Sequence, residues 1–582
     1  MAADGRVEAP APTGGTGNRN GWLWLNLFRS FQVALDPRKL LVAALGILVM
    51  SLGWWLLSVI FMSGYSNKPI PADYGQDYLT RSGFKPPQAN PTAAEAEAYY
   101  EAEKQRQYDR ALARYKVLEE LAGEHGGKLR TLPWHEFRGQ NPYLFASALS
   151  SSPSATWGDQ IGKYLSEQIP VLTEPLQKLL LPVLKLADPN ASTYTRIYLI
   201  LCLAWSIITW AFFGGVITRL AAVQFNGKER TTLKQAVKFV TSRYVSYVLS
   251  PTVPLAVVAV IVLLMAVYGL VALIPIVGDI VLYGLLFPLI IIGGVAIAVI
   301  LLGLVGYPLM YCTISVEGSD TFDAISRSYN YVFQAPWSFL WYSFVSLVYG
   351  AAVSFVVILI GCVMIGLGKG AVSIPATAVA ESRKPDFLFV YAPESLGWKE
   401  LFLRGTPIEV EYKGRKPTAA EEAAYEEELR KAGKPSEPKP WGYRQTKPAE
   451  ADAYMKEMTW ANYAGAGLVW FWMTLVFLLM IGFTYSFFWT AATMIYLLMR
   501  KKVDEVELDE VYIEEVPPTP TPPAVPPTTP PAAPTPGASL PVVPPPPPAV
   551  VPPPPPVVTS PPVPTTAPQV SATSPPPPPV TE

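Results

Sequence analysis

The sequence predicts an all-α membrane bundle of about six transmembrane helices, and three observations predict it. Half of the 582 residues are apolar and only 16% are charged, against roughly 25% in soluble domains. Six apolar runs, residues 40–62, 194–217, 252–273, 288–312, 336–367 and 464–499, reach the length of about 20 residues that a helix needs to cross a bilayer. Three of the runs follow a stretch whose apolar residues share one helical face, as in helices that lie along a membrane surface.

The elements follow in chain order. Residues 1–20 are polar, contain Gly and Pro, and are expected to be disordered. They lack the apolar core and cleavage site of a signal peptide, so the first span is expected to remain as an anchor. Residues 21–62 read as an interfacial helix and span one, 194–367 as spans two to five with two further interfacial helices, and 464–516 as span six with an extension. Cations set the orientation. Arg29, Arg38 and Lys39 precede span one, Arg219, Lys228, Arg230, Lys234, Lys238 and Arg243 separate spans two and three, and Arg500, Lys501 and Lys502 follow span six. Both termini are therefore expected in the cytoplasm. The turn "IPIVGDIVLYG" carries only Asp279, as an outside loop should, and residues 281–287, between spans three and four, read as a half-helix.

Two polar regions, 63–193 and 368–463, then fall outside. The first is expected to be mainly α, with a long amphipathic helix after Pro91 whose Tyr108, Leu112, Tyr115 and Leu118 share a face. Residues 169–186, interrupted by prolines, read as short helical pieces on the outer membrane surface. The second region is expected to be α+β, with a helix at "PTAAEEAAYEEELRKAG" and strands at "DFLFVYA" and "IEVEY". Phe387, Phe389, Ile408 and Val410 of those strands are expected to cover the Tyr108 face, because isolated amphipathic elements are marginal. Residues 517–582, almost wholly Pro, Val, Thr, Ala and Ser, predict a disordered, polyproline-rich tail.

The span starts carry their own punctuation. Asp36-Pro37 and Ser250-Pro251 read as an N-cap followed by Pro at the first helical position, and Pro336 as a third start without a capping residue. Ahead of them, Thr232 with Gln235 reads as a capping box and Asp323 with Arg327 as an ion pair one turn apart. Arg, Leu and Pro recur at matching offsets from Arg29 and Arg243, and a third copy from Arg327 is one residue longer before its Pro. The expected unit is an interfacial helix plus a helical hairpin, repeated three times, with insertions in the first and third copies.

"EGSDTFDAISRSYNYVFQAPWSFLWYSF", "LPWHEFRGQNPYLF" and "MIYLLMRKKVDEVELDEVYIEE" resemble a family of large, uncharacterised bacterial multi-pass membrane proteins over most of the chain except the tail. More loosely, the alternation of amphipathic helix and span is similar to the membrane domain accompanying some glycerophosphodiester phosphodiesterases, without a phosphodiesterase domain. Neither resemblance implies functional residues.

Several function classes are disfavoured. The net charge of -1 and the lack of a basic stripe among aromatics argue against nucleic acid. Phosphate-loop, nucleophile-elbow and HExxH motifs are missing from the sequence. Two histidines, with Cys202, Cys312 and Cys362 all in apolar runs, leave no cofactor or zinc set of the usual kind. His135, between Trp134 and Glu136, is the candidate general base, and a structural role is the expectation. The spans carry essentially no ionisable residue away from their ends, which disfavours ion-coupled transport. The expected function is a non-enzymatic protein of the bacterial inner membrane, contacting lipids and presenting two external regions to envelope proteins. The alternative is a permease or lipid-handling transporter for an apolar or lipid-like substrate.

Overall fold

The computed structural model describes residues 19–62, 69, 74, 92–122, 132–134, 138–188, 191–227, 231–379, 385–412, 425, 429 and 443–513. They belong to one compact unit that ends at Ile513. The Pro-rich tail, residues 1–18, His135 and nearly all of the helix expected at 417–433 lie outside the described residues.

A 3₁₀ segment, Arg19–Phe28, leads into α1, Arg29–Ala34, and α2, Pro37–Met62. The next helices are α3, Ala93–Ala122, α4, Pro142–Ser151, α5, Trp157–Leu172, and α6, Glu174–Leu186. Then come α7, Thr193–Asn226, α8, Leu233–Ser242, α9, Tyr244–Val271, and α10, Phe287–Leu304. They are followed by α11, Tyr307–Glu317, α12, Thr321–Gln334, and α13, Pro336–Val379. After α14, Trp398–Leu403, an antiparallel pair β1, Val410–Tyr412, and β2, Tyr443–Gln445, sets Val410 opposite Gln445. The last helices are α15, Pro448–Glu457, and α16, Trp460–Val503. Six of these helices, α2, α7, α9, α10, α13 and α16, are long and apolar enough to cross a membrane, so the all-α class is observed and the chain is a membrane protein.

The sequence misplaced several elements. The fourth apolar run is two helices, because α10 stops at Leu304 and α11 restarts at Tyr307 with Pro308 in its first turn. The expected half-helix at 281–287 is a π-helix, Val277–Leu285, entered through Ile276 at a left-handed φ of 67°. "DFLFVYA" starts as a 3₁₀ turn, Pro385–Phe389, rather than a strand, because Phe389 packs its ring on Phe402 at 5.3 Å instead of joining a ladder. Among the described residues α3 packs chiefly on α2 and α7, and Tyr115 is buried.

The segment expected on the outer membrane surface is instead a helical hairpin wedged into the bundle. The chain turns at Thr173 between α5 and α6, and α6 runs along α7. Leu172 packs in one cluster with Phe483 and Phe487 and touches Gly350. The Tyr307 hydroxyl donates to the Pro175 carbonyl at 3.1 Å. Gly350 is 14 residues beyond the start of α13, about 21 Å along its axis at 1.5 Å per residue. The turn therefore sits deep within the span-length helices. Ile161, Ile169 and Leu184 on its outer face are exposed, which suits lipid contact.

Aromatic rings fill the centre. Trp489 lies parallel to Tyr311 at 5.3 Å and edge-on to Tyr307, while Trp210 stacks on Tyr485 at 4.8 Å. Close approach needs glycine at two points. A Cβ on Gly214 would meet the Trp489 ring at 2.9 Å, and one on Gly53 would collide with the Trp205 indole, whose N–H donates to the Val49 carbonyl at 3.2 Å.

Candidate functional site: two polar junctions along the bundle

Polar residues gather at two levels of α16. Near its start the Trp134 ring meets Trp470 at 5.9 Å, whereas near its end Arg500 reaches Glu317 at 3.5 Å.

The second of these, the inner junction, is built around Glu317 at the C-terminal end of α11. Its carboxylate accepts from Tyr496 at 2.6 Å and pairs with Arg327 at 2.9 Å. Arg327 also holds Asp323 one turn earlier at 3.0 Å, so the structure joins Asp323 and Arg327 within a larger network. Burial opposes the Arg327 charge, but the Asp323 hydrogen bond and the Glu317 field outweigh it and raise its pKa. Asp320, not foreseen from the sequence, caps α12 by accepting the Asp323 amide at 2.9 Å. The chain after α16 straps this junction. Arg500 donates to the Glu507 carbonyl at 3.1 Å, the Tyr331 hydroxyl donates to Asp504, and the Tyr512 amide donates to the Val316 carbonyl at 2.7 Å. The Tyr512 ring covers Gly318, whose carbonyl accepts from Arg243 at 3.3 Å.

The predicted helix starts behave differently from one another. Asp36 accepts the Arg38 amide at 3.0 Å and pairs with its guanidinium at 2.7 Å, and α2 begins at Pro37. Burial opposes ionisation of Asp36, yet its bonds from Arg38 and Gln224 hold its pKa below the usual value. Pro336 opens α13. Thr232 and Gln235 form the capping box. Ser250 and Pro251 are not a helix start. They lie inside α9, which begins at Tyr244. Pro251 has no N–H for the carbonyl four residues back, and the Ser250 hydroxyl donates to that Tyr247 carbonyl at 3.2 Å instead. The signal S-P is thus a repaired helix interior. Three cations read as loop charges are also buried in helices: Lys39, Arg219 and Arg500. Arg219 donates to the Ser315 carbonyl at 2.7 Å and lies over the Phe239 ring at 3.9 Å. Beside it Ser315 shares hydrogen bonds with Thr218 at 2.6 Å and Tyr247 at 2.7 Å.

The outer junction was invisible as such in the sequence, although its residues fall in "LPWHEFRGQNPYLF". Arg138 pairs with Glu174 at 3.0 Å, Lys178 closes on the same carboxylate, and all three are largely buried. Burial disfavours the Glu174 charge, and the Arg138 and Lys178 fields overcome it and lower its pKa. Arg138 further donates to the Pro133 carbonyl and to Ser395 at 3.3 Å. The Trp134 carbonyl accepts the amides of Glu394 and Ser395 at 3.1 and 3.2 Å, and Asn141 donates to the Leu396 carbonyl at 2.8 Å while its own oxygen caps α4. Residues 132–134 and 138–141 of the first polar region are therefore packed against residues 394–396 of the second.

Among the described residues no three His, Cys, Asp or Glu side chains are grouped to hold a metal ion, and the three cysteines are separate, free and buried. What the geometry does chemically is to hold: each carboxylate at the centre is matched by two cations. A family model described as a domain of unknown function (DUF7847) matches residues 175–390, which spans α6 to the 3₁₀ turn at Phe389. Searches of curated proteins and of solved structures return no match. The chain is thus similar, over α7 to α13 and the elements flanking them, to an uncharacterised domain.

Proposed function

We propose that this protein is a non-enzymatic scaffold of the bacterial inner membrane, anchored by its six apolar helices with both termini in the cytoplasm. Its two polar regions, on the opposite side, form one platform for an envelope partner. The observation that carries the reading is the hydrogen-bonded union of Trp134, Arg138 and Asn141 with Glu394, Ser395 and Leu396, which ties described parts of the two regions together. A centre packed with Trp489, Tyr311 and Trp210 supports holding rather than carrying. Three interfacial helices, α1, α8 and α12, each lead directly into a span, α2, α9 and α13, and this supports the reading of three repeated units.

The test is purification in mild detergent followed by mass spectrometry of bound proteins and lipids. A stoichiometric envelope protein, lost when Ser395 is replaced by Trp to split the platform, is the expected result. Bound lipid alone, together with lipid movement in reconstituted vesicles, would replace the scaffold with the transporter.

A further inference from the structure

The wedge of α5 beneath the outer junction carries polar atoms that its surroundings do not use. Tyr164 and Gln168 sit one turn apart on α5 and face α13. Both are buried, at 5% and 0% exposure, and neither the Tyr164 hydroxyl nor either amide atom of Gln168 has a hydrogen-bond partner among the described residues. The buried indole N–H of Trp398 is in the same position.

These groups are neighbours. Gly139, at a left-handed φ of 81°, lies so close to Gln168 that a Cβ there would be 3.0 Å from the amide nitrogen. Two residues on, Asn141 donates to Cys362 at 3.4 Å and to the Leu396 carbonyl. Cys362 in turn adjoins Trp398 and lies within electrostatic range of Tyr164. The rings of Phe145 and Phe355 wall the Tyr164 side at 4.4 and 5.5 Å. The roof is strained, since Leu396 holds a left-handed φ of 56° beside Gly397 at 63°, a conformation unfavourable for a residue with a side chain.

Four unused donors and acceptors at nine-tenths burial or more are expensive in a bundle. Buried polar groups of this kind are ordinarily satisfied by ordered water with two to four partners. Nearby, Arg138 and Lys178 pair with Glu174, and the Glu167 carboxylate, which accepts the Gln140 amide at 3.3 Å, balances the second cation, so the chamber offers hydrogen bonds without net charge. We propose that Tyr164, Gln168, Asn141, Cys362 and Trp398 line a polar chamber that binds a small uncharged hydrogen-bonding molecule, water being the smallest, admitted beneath the Leu396–Gly397 roof. An anionic or cationic ligand would meet no free counter-charge there.

Cys362 is a native reporter. In full-length protein carrying Cys202→Ser and Cys312→Ser, a small neutral methanethiosulfonate added from the side of the polar regions should label Cys362. The labelling should run roughly tenfold faster than that of Cys202 or Cys312 as the sole remaining thiol, because reaction requires access as well as thiolate. Replacing Gln168 by Leu together with Tyr164 by Phe should slow Cys362 labelling while an unchanged melting transition shows that the fold persists. Protection by urea or glycerol would identify a solute site, and labelling without protection a water-only site; both support the chamber. Equal rates for the three cysteines, or a rate unaffected by the double substitution in folded protein, would overturn it. If the double variant does not fold, the three-cysteine comparison alone decides.

Discussion

Two parts of the membrane region are both apolar enough to span a bilayer and have opposite surroundings. The most apolar stretch of α7 has mean hydropathy 2.1 and is 67% buried, whereas those of α9 and α10 reach 2.7 and 2.8 and are 6% and 11% buried. The hairpin of α9 and α10 meets the bundle only at its root. Tyr247, Ser250, Pro251 and Pro254 are buried in one leg, Gly303 and Leu304 in the other, and the residues beyond pack mainly on each other. In lipid there is no hydrophobic drive between helices, so close packing needs small residues and hydrogen bonds. The helix α7 turns Ser206, Gly214, Gly215 and Thr218 toward the bundle, while a small residue of the hairpin such as Gly293 faces Met265 of its own other leg. Hydropathy thus reports where a helix can live and not what it touches.

Four substitutions sharpen that contrast, beginning with the largest expected effect. Glu174→Gln removes the charge that Arg138 and Lys178 share, and breaking a buried pair costs about 3–5 kcal/mol. The melting temperature in detergent should fall sharply, and Arg138→Met with Glu174→Leu should recover most of it. Because the Glu174 pKa is lowered on folding, its contribution is complete above the ordinary carboxylate value of about 4 and drains away as the pH falls below it. The wild-type advantage over Glu174→Gln should therefore shrink in acid; an advantage constant from pH 7 to pH 3 would refute the pairing.

Gly53→Ala drives a methyl into Trp205, and overpacking of this kind costs about 1–3 kcal/mol. The comparison is Gly294→Ala in the hairpin, where an added Cβ meets nothing within 4 Å. That change should leave the melting temperature the same or raise it slightly, since Ala exceeds Gly in helix propensity by up to about 1 kcal/mol. Similar losses at both sites would mean that the hairpin packs as tightly as α7. Third, Ser250→Ala should cost about 1 kcal/mol by orphaning the Tyr247 carbonyl, and a second change, Pro251→Ala, should restore stability. A simple N-cap would show no such rescue. The smallest effect is expected at Leu263, 63% exposed, where Ala should change unfolding by less than about 0.5 kcal/mol, as at surface positions free of special contacts.

The part of the fold that was legible in the sequence is the part set by local chemistry. Apolar length announced six helices, and the Asp36, Thr232 and Asp323 signals announced local hydrogen bonds that all occur. What stayed hidden depends on distant partners. Ser250-Pro251 has the letters of a helix start, and only the Tyr247 carbonyl within a continuous α9 gives it another meaning. Arg219 and Arg500 look like loop cations until the helices extend around them. Prolines at 170, 175 and 182 suggested surface fragments, yet burial against α7 and Tyr307 holds the same fragments inside. The outer junction joins residues about 250 positions apart, as Arg138 and Ser395 are, and no periodicity spans that gap.

The Glu317 junction also imposes an order of events on synthesis. Glu317 and Arg327 leave the ribosome together, but Arg500 is 183 residues behind them, and the Tyr512 bond to Val316 comes later still. At about 5–20 residues per second, that interval is on the order of ten seconds or more. During it α11 and α12 stand with one cation of their pair missing and the roots of the α9 hairpin unstrapped. A nascent chain halted before α16 therefore holds Glu317 by Arg327 alone and leaves the seam that Arg500 and Tyr512 close still open.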